Sequence, residues 1–135
     1  MASILKVDEL QGITAAGNIT VTSEGGAATM QLQQGLAKAW AYFNGQAATP
    51  VFFDSFNCSS LIDGGTGTYN PQFTIVMSSA NFSAPATGHA SGVSWCAAIY
   101  SGGKTTNQMH FQSVNLTPVA VDSNPCDIAA FGDLA

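Results

Sequence analysis

From Lys38 onward, apolar and polar residues alternate with a period of two, the spacing of a strand whose side chains point to opposite faces. Trp40 and Tyr42 alternate with Ala39, Ala41 and Phe43, and Asn44-Gly45 then marks a turn. Pro50 opens Val51-Phe52-Phe53, and Phe56, Cys58 and Ser60 carry on the same period as one continuing run. Asp63-Gly64-Gly65 is a second turn, since glycine supplies the positive φ that tight turns need. Tyr69, Phe73, Ile75 and Met77 rebuild the alternation, with Pro71 placing the start of that strand at an edge or a bulge. A short strand is expected over 80–84, stopped by Pro85. A stronger one covers 93–100, with Val93, Trp95, Ala97 and Ile99 on one face. Ser101-Gly102-Gly103-Lys104 is a hairpin turn that pairs it with 109–116, and 126–131 closes the set after an Asp122–Pro125 loop. Strands at this spacing, separated by Gly, Asn and Pro turns, predict an all-β fold: an antiparallel β-sandwich, jelly-roll-like, over residues 38–135.

Residues 1–37 follow a different pattern and read as an extended N-terminal arm plus a connector. Ile4, Leu5, Val7 and Leu10 form a mixed apolar series, broken at Gly12. Gly17-Asn18 sets up a turn into Ile19-Thr20-Val21-Thr22, and Glu24-Gly25-Gly26 ends that short strand. The segment has too few apolar residues to own a core, so it gains order against a neighbour. The plainer alternative is an ordinary first strand of the same domain. Over 27–38, Met30, Leu32 and Leu36 fit one or two helical turns, while Met30 and Leu32 also alternate as a strand would. Gly35 weakens a helix there by about 1 kcal/mol relative to Ala.

Two motifs carry a resemblance. KAWxxFNG from Lys38, followed by DSFNxSSxxDxGTGxYxxxFxxxMxxANF from Asp54 to Phe82, resembles a β-sandwich module of tailed-bacteriophage virion proteins, chiefly tail-fibre and other virion-surface proteins. The opening ASILKVDELQGITAAGNITV is similar to the start of short phage structural proteins, many of them from marine phages. The resemblance implies a non-enzymatic virion structural protein acting as a homo-oligomer, a trimer. Met30, Leu32 and Leu36 then become candidates for contact between copies about a threefold axis. Ile4, Leu5, Val7 and Leu10 become candidates for docking onto the particle. The chain is too short for a long fibre, which favours capsid decoration or cement over the alternative of a tail-fibre or tail-tip protein that binds a host receptor. The partners implied are the major capsid protein or a tail protein, and the place is the virion surface after synthesis in the host cytoplasm.

Composition narrows the functional classes. At 135 residues the chain fits one domain plus an arm, and 46% hydrophobic content fits a folded protein. Charged residues are only 8%, against roughly 25% in ordinary soluble domains. A surface solvated by Ser, Thr, Asn and Gln accounts for this, and so does a surface covered in an assembly, where charge is costly to desolvate. The latter is favoured, because a charge-poor monomer tends to associate. Net charge is −5, and Lys6, Lys38 and Lys104 are the sole Lys or Arg residues. Phosphate contacts need clustered Lys and Arg, so nucleic acid is not an expected partner. No apolar run reaches the roughly 20 residues of a membrane helix, and Met1-Ala2-Ser3 does not open a signal peptide, so no membrane partner is expected.

Catalytic chemistry finds little to stand on. His89 and His110 form no HxH or HxxxH pair, and no CxxC occurs, so no metal and no cofactor are expected. GxSxG is absent, and the GGTGT of Gly64–Thr68 lacks the following Lys of a phosphate loop, which makes it a hairpin loop. Asp54, Asp63, Asp122, Asp127 and Asp133 are acids by type alone; Asp63 fits turn capping, and Asp54 fits a bulge cap or a pair with Lys38. Cys58, Cys96 and Cys126 read as buried free thiols, with a Cys96–Cys126 bridge left open. Trp40, Tyr42, Tyr69, Trp95 and Tyr100 could stack on sugars, but core packing is the expected role of most of them. Tyr69 and Tyr100 flank turns and are the better candidates among them for exposure toward a receptor, with packing still the favoured role.

Overall fold

The computed structural model describes residues 5–15, 18–23, 25–26, 28–89, 96–98, 103–115, 117 and 119–135. The fold is all-β and antiparallel, as the alternation requires, with one helical turn among the described residues. Contacts divide the chain into two compact units, Met1–Leu36 and Ala37–Ala135.

In the first unit, β1 (Thr20–Thr22) pairs with β2 (Thr29–Gln31), setting Val21 opposite Met30. The turn between them is closed by Gly26 N–H donating to Ser23 O at 2.8 Å and Ser23 N–H donating to Ala28 O at 2.8 Å; Gly26 has a φ of +70°, which glycine adopts without strain. A single turn, α1 (Leu32–Gly35), follows and buries no residue. All of β1 and β2 is exposed. A lone two-stranded hairpin of this kind is marginal in water. Residues 5–15 carry no strand and no helix.

The second unit holds β3 (Ala39–Asn44), β4 (Val51–Phe56), β5 (Cys58–Asp63), β6 (Thr68–Phe73), β7 (Ala86–Gly88), β8 (Cys96–Ala98), β9 (Phe111–Val114) and β10 (Cys126–Ala130). They form two four-stranded sheets, ordered β4-β3-β10-β7 and β5-β6-β9-β8. Ala39, Ala41 and Phe43 of β3 and Cys126, Ile128 and Ala130 of β10 point into one core with Tyr69 and Phe73 of β6 and Phe111 of β9. Phe43 packs edge-on against Tyr69 and Phe111, with centroids 5.3 and 5.6 Å away. Burying each such ring contributes about 1.5–3 kcal/mol. The long loop after β6 adds Met77 and Phe82; Phe82 meets Phe73 edge-on at 5.6 Å, and Lys104 Nζ lies over its ring and donates to its carbonyl at 2.7 Å.

The run expected over 51–60 is broken at Asn57. This residue has a φ of 54° and sits alone between β4 of one sheet and β5 of the other. Asn tolerates the left-handed region because its short side chain can bond locally, and here the chain uses it to change sheets in one step. Pro71 lies inside β6, not at an edge. It stands between the β6–β9 ladder at Thr68 and Tyr69 and the Gln72–Gln108 bridge that continues the same register; lacking an N–H it donates nothing there, and its carbonyl accepts the Met109 N–H at 3.0 Å. The strand expected over 80–84 is reduced to a single bridge, Ser83 with Phe131. Of the strand expected over 93–100, Cys96–Ala98 is described, and it pairs with β9 as expected. Trp95 lies outside the described residues.

Candidate binding surface

Most of the candidate chemical groups have structural occupations. Asp63 Oδ1 accepts the Gly65 N–H at 2.8 Å, and Gly64 N–H donates to Thr68 O at 2.9 Å, so GGTGT is the β5–β6 hairpin loop. Asp54 Oδ1 accepts the Ser55 N–H at 2.8 Å beside the irregularity in the β3–β4 register. Asp122 Oδ1 accepts the buried Gly67 N–H at 2.7 Å and lies 2.8 Å from the Tyr69 hydroxyl. Together these contacts tie the hairpin loop to the segment before β10.

Tyr69 corrects an expectation. It is 1% exposed, so it cannot face a receptor. Its ring fits because Gly45 has no side chain: a Cβ there would stand 2.5 Å from the Tyr69 ring. The hydroxyl shares its one proton between Gly45 O and Asp122 Oδ1, each at 2.8 Å. Burial, reinforced by the Asp122 carboxylate, pushes its ionisation far above the usual phenol range. Tyr100 lies outside the described residues.

The thiols are equally occupied. Cys126 is free, so it forms no bridge with Cys96; its Sγ donates to Ser123 O at 3.3 Å. Burial pushes Cys58 up to about 11 and Cys126 up to about 12, which leaves neither as a thiolate at neutral pH. His89 is exposed, and His110 is half-buried with its pKa pushed down by desolvation. Among the described residues no group of three or more His, Cys, Asp or Glu is placed to hold a metal, and no helix is long and apolar enough to cross a membrane.

Leu5, Val7 and Leu10 are exposed, Leu5 at 78%, and Ile13 beside them is fully exposed at 106%. Ile4 lies outside the described residues. Met30 and Leu36 are exposed and Leu32 is half-buried.

Sequence reasoning named Trp40 and Tyr42 among residues able to stack on sugars but expected core packing for most of that set; it missed that both lie on the outer face of the first sheet. The inward set on β3 is the small one, so Trp40 and Tyr42 point away from the core. Register aligns Thr87, Asp127, Tyr42 and Asp54 in one row across β7, β10, β3 and β4. The next row sets Ala129 beside Trp40, and Trp40 beside Phe56. Ala129 is small, and the gap between Trp40 and Pro85 is a shallow groove of about 300 Å³ with Tyr42, Thr87 and Asp127 along it. Tyr42 is itself braced by Phe53, ring centroids 5.0 Å apart. Phe53 is the additional β4 residue opposite the Tyr42–Phe43 step, where the register shifts. The Trp/Tyr positions of AWAYFN were the available signal, but alternation alone does not say which face is inside.

Comparison of the chain with protein-family models, with curated proteins and with solved structures finds no match.

Proposed function

We propose that the chain is a non-enzymatic structural protein of a tailed-phage virion, trimeric, that decorates and cements a capsid surface. In this reading the two sheets form a β-sandwich body and the N-terminal segment attaches it to the major capsid protein. The observation that carries the reading is the run of uncovered apolar side chains at Leu5, Val7, Leu10 and Ile13, in a chain with only 8% charged residues. Apolar surface of this kind is stabilised by about 25 cal/mol per Å² when a neighbour covers it, less the cost of ordering the segment. Met30, Leu32 and Leu36 are the residues assigned to contact between copies. The motif resemblance supports the virion class; the absence of clustered cations argues against a position on packaged nucleic acid.

Deleting residues 1–10 tests the assignment. Particles assembled with the shortened chain should lose it, while the purified variant keeps the β-type circular dichroism and unfolding transition of the full chain. Undiminished occupancy on the particle would remove the docking role. A second reading, a tail-fibre or tail-tip protein that binds a host-surface receptor, draws on the outer face that carries half-buried Trp40 and exposed Tyr42. Copy number per particle separates the two: hundreds for a capsid protein, a handful for a tail protein.

A further inference from the structure

The groove on the outer face of the first sheet has a composition that neither docking nor trimer contact uses. Its floor is Ala129, its walls are Trp40 and Pro85, and Tyr42 stands at its side. Asp127 and Thr87 lie on the same face, with Thr87 Oγ1 donating to Asp127 Oδ2 at 3.5 Å. This hydrogen bond is long, so both groups retain capacity for a ligand. The groove crosses the middle of a sheet, where the backbone groups of β3 and β10 are paired to each other and β10 is also paired to β7. A peptide strand therefore has no ladder to join, and recognition has to come from side chains. Flat ring faces suit a ligand with an apolar face. A carboxylate and a hydroxyl beside them suit a ligand with several O–H groups, because a carboxylate accepts strong charge-assisted hydrogen bonds. Two carboxylates, Asp127 and Asp54, lie in the row that crosses this face, and no lysine lines the groove. That charge pattern repels anionic ligands such as uronic or sialic acids. A volume of about 300 Å³ sits at the small end of ligand sites.

We propose that this groove binds a short neutral oligosaccharide, one pyranose ring lying against Trp40 and Tyr42 while Asp127 and Thr87 take its hydroxyls. The inference stands on the groove alone and holds whether or not the chain belongs to a virion.

Saturation-transfer difference NMR on the purified full-length chain tests it, with maltotriose, cellotriose, chitotriose, trigalacturonate and choline as separate probes. The expected result is transfer from at least one of the three neutral trisaccharides and none from trigalacturonate. Tyr42→Ala should abolish the transfer, and Asp127→Asn should weaken binding at least fivefold. Tyr42 is 39% exposed, so its truncation leaves the core intact, and an unchanged melting temperature confirms this. Trp40→Phe, which keeps a ring, should retain partial binding. Transfer from none of the neutral sugars overturns the proposal. So does transfer that survives Tyr42→Ala, transfer from trigalacturonate, or transfer from choline alone, which would make the face a cation site.

Discussion

Asn57 brackets the backbone of Ile75. Its Oδ1 accepts the Ile75 N–H at 2.7 Å and its Nδ2 donates to the Ile75 carbonyl at 3.0 Å, while the same Nδ2 also donates to Lys38 O at 3.0 Å. The residue that lets the chain change sheets is thus pinned to the strand start on one side and the post-β6 loop on the other. Two substitutions separate its backbone and side-chain roles. Asn57→Gly keeps the left-handed conformation and loses the three hydrogen bonds, a cost on the order of 2 kcal/mol. Asn57→Ala loses the bonds and adds roughly 1 kcal/mol for the unfavourable φ. Urea unfolding measures both, and equal losses in the two variants would show that the positive φ carries no cost.

Tyr69→Phe removes the hydroxyl and leaves Gly45 O without that donor. A loss of about 1–2 kcal/mol is expected. The pH dependence gives a second readout. The folded state holds the phenolic proton more tightly than the unfolded state, so this contribution is complete below pH 10 and declines as pH rises above it. Denaturation midpoints followed from pH 9 to 11 should fall less steeply in Tyr69→Phe than in the parent chain.

His110 acts in the opposite pH range. Desolvation lowers its folded pKa below the ordinary 6.5, so the unfolded chain binds the proton first as pH falls. The associated stability is present above pH 6.5 and is lost as pH drops through the folded value. Its ring packs on Gly103, where a Cβ would approach to 2.1 Å, so the neighbour cannot be enlarged. Melting temperature between pH 7.5 and 5 should decline in the parent and decline less in His110→Gln.

Thiol labelling probes the core directly. Cys126 is fully buried and Cys58 half-buried, its Sγ 3.5 Å from Trp40 O. With the pKa of Cys126 pushed up to about 12 and that of Cys58 to about 11, both should react with iodoacetamide at pH 8 far more slowly than a free thiol, and both should label completely in denaturant. Peptide mass spectrometry reads the two sites separately.

Local patterns carried the strand framework. The alternation of Ala39 to Phe43, the closing strand expected over 126–131, and the Asn44-Gly45 and Asp63-Gly64-Gly65 signals placed β3, β10 and the turns beside β3 and β5. They did not carry facing. On β3 either the Ala/Phe set or the Trp/Tyr set could have been inward; the small set wins because Ala39 and Ala41 stand against Ala130 and Ile128 in the ladder, and Phe43 fills the space before Tyr69 and Phe111. Tyr69 beside a turn looked exposed because its acceptor, Asp122, is 53 residues away. The groove was hidden for the same reason. It exists only once the register of three strands brings Trp40, Ala129 and Pro85 together. Asn57 broke a regular apolar period through its φ, which periodicity does not encode.

The strand at 126–130 lies between β3 and β7, an inner place, yet it follows every other strand of its sheet along the chain. The first sheet therefore stays split during synthesis, with β3 and β7 separated until residue 130 emerges. Termination before that point leaves the β4–β3 pair and the lone β7 strand unjoined, with open backbone margins that favour aggregation. Only chains extended through residue 130 can close this sheet, which makes its completion a late event of synthesis.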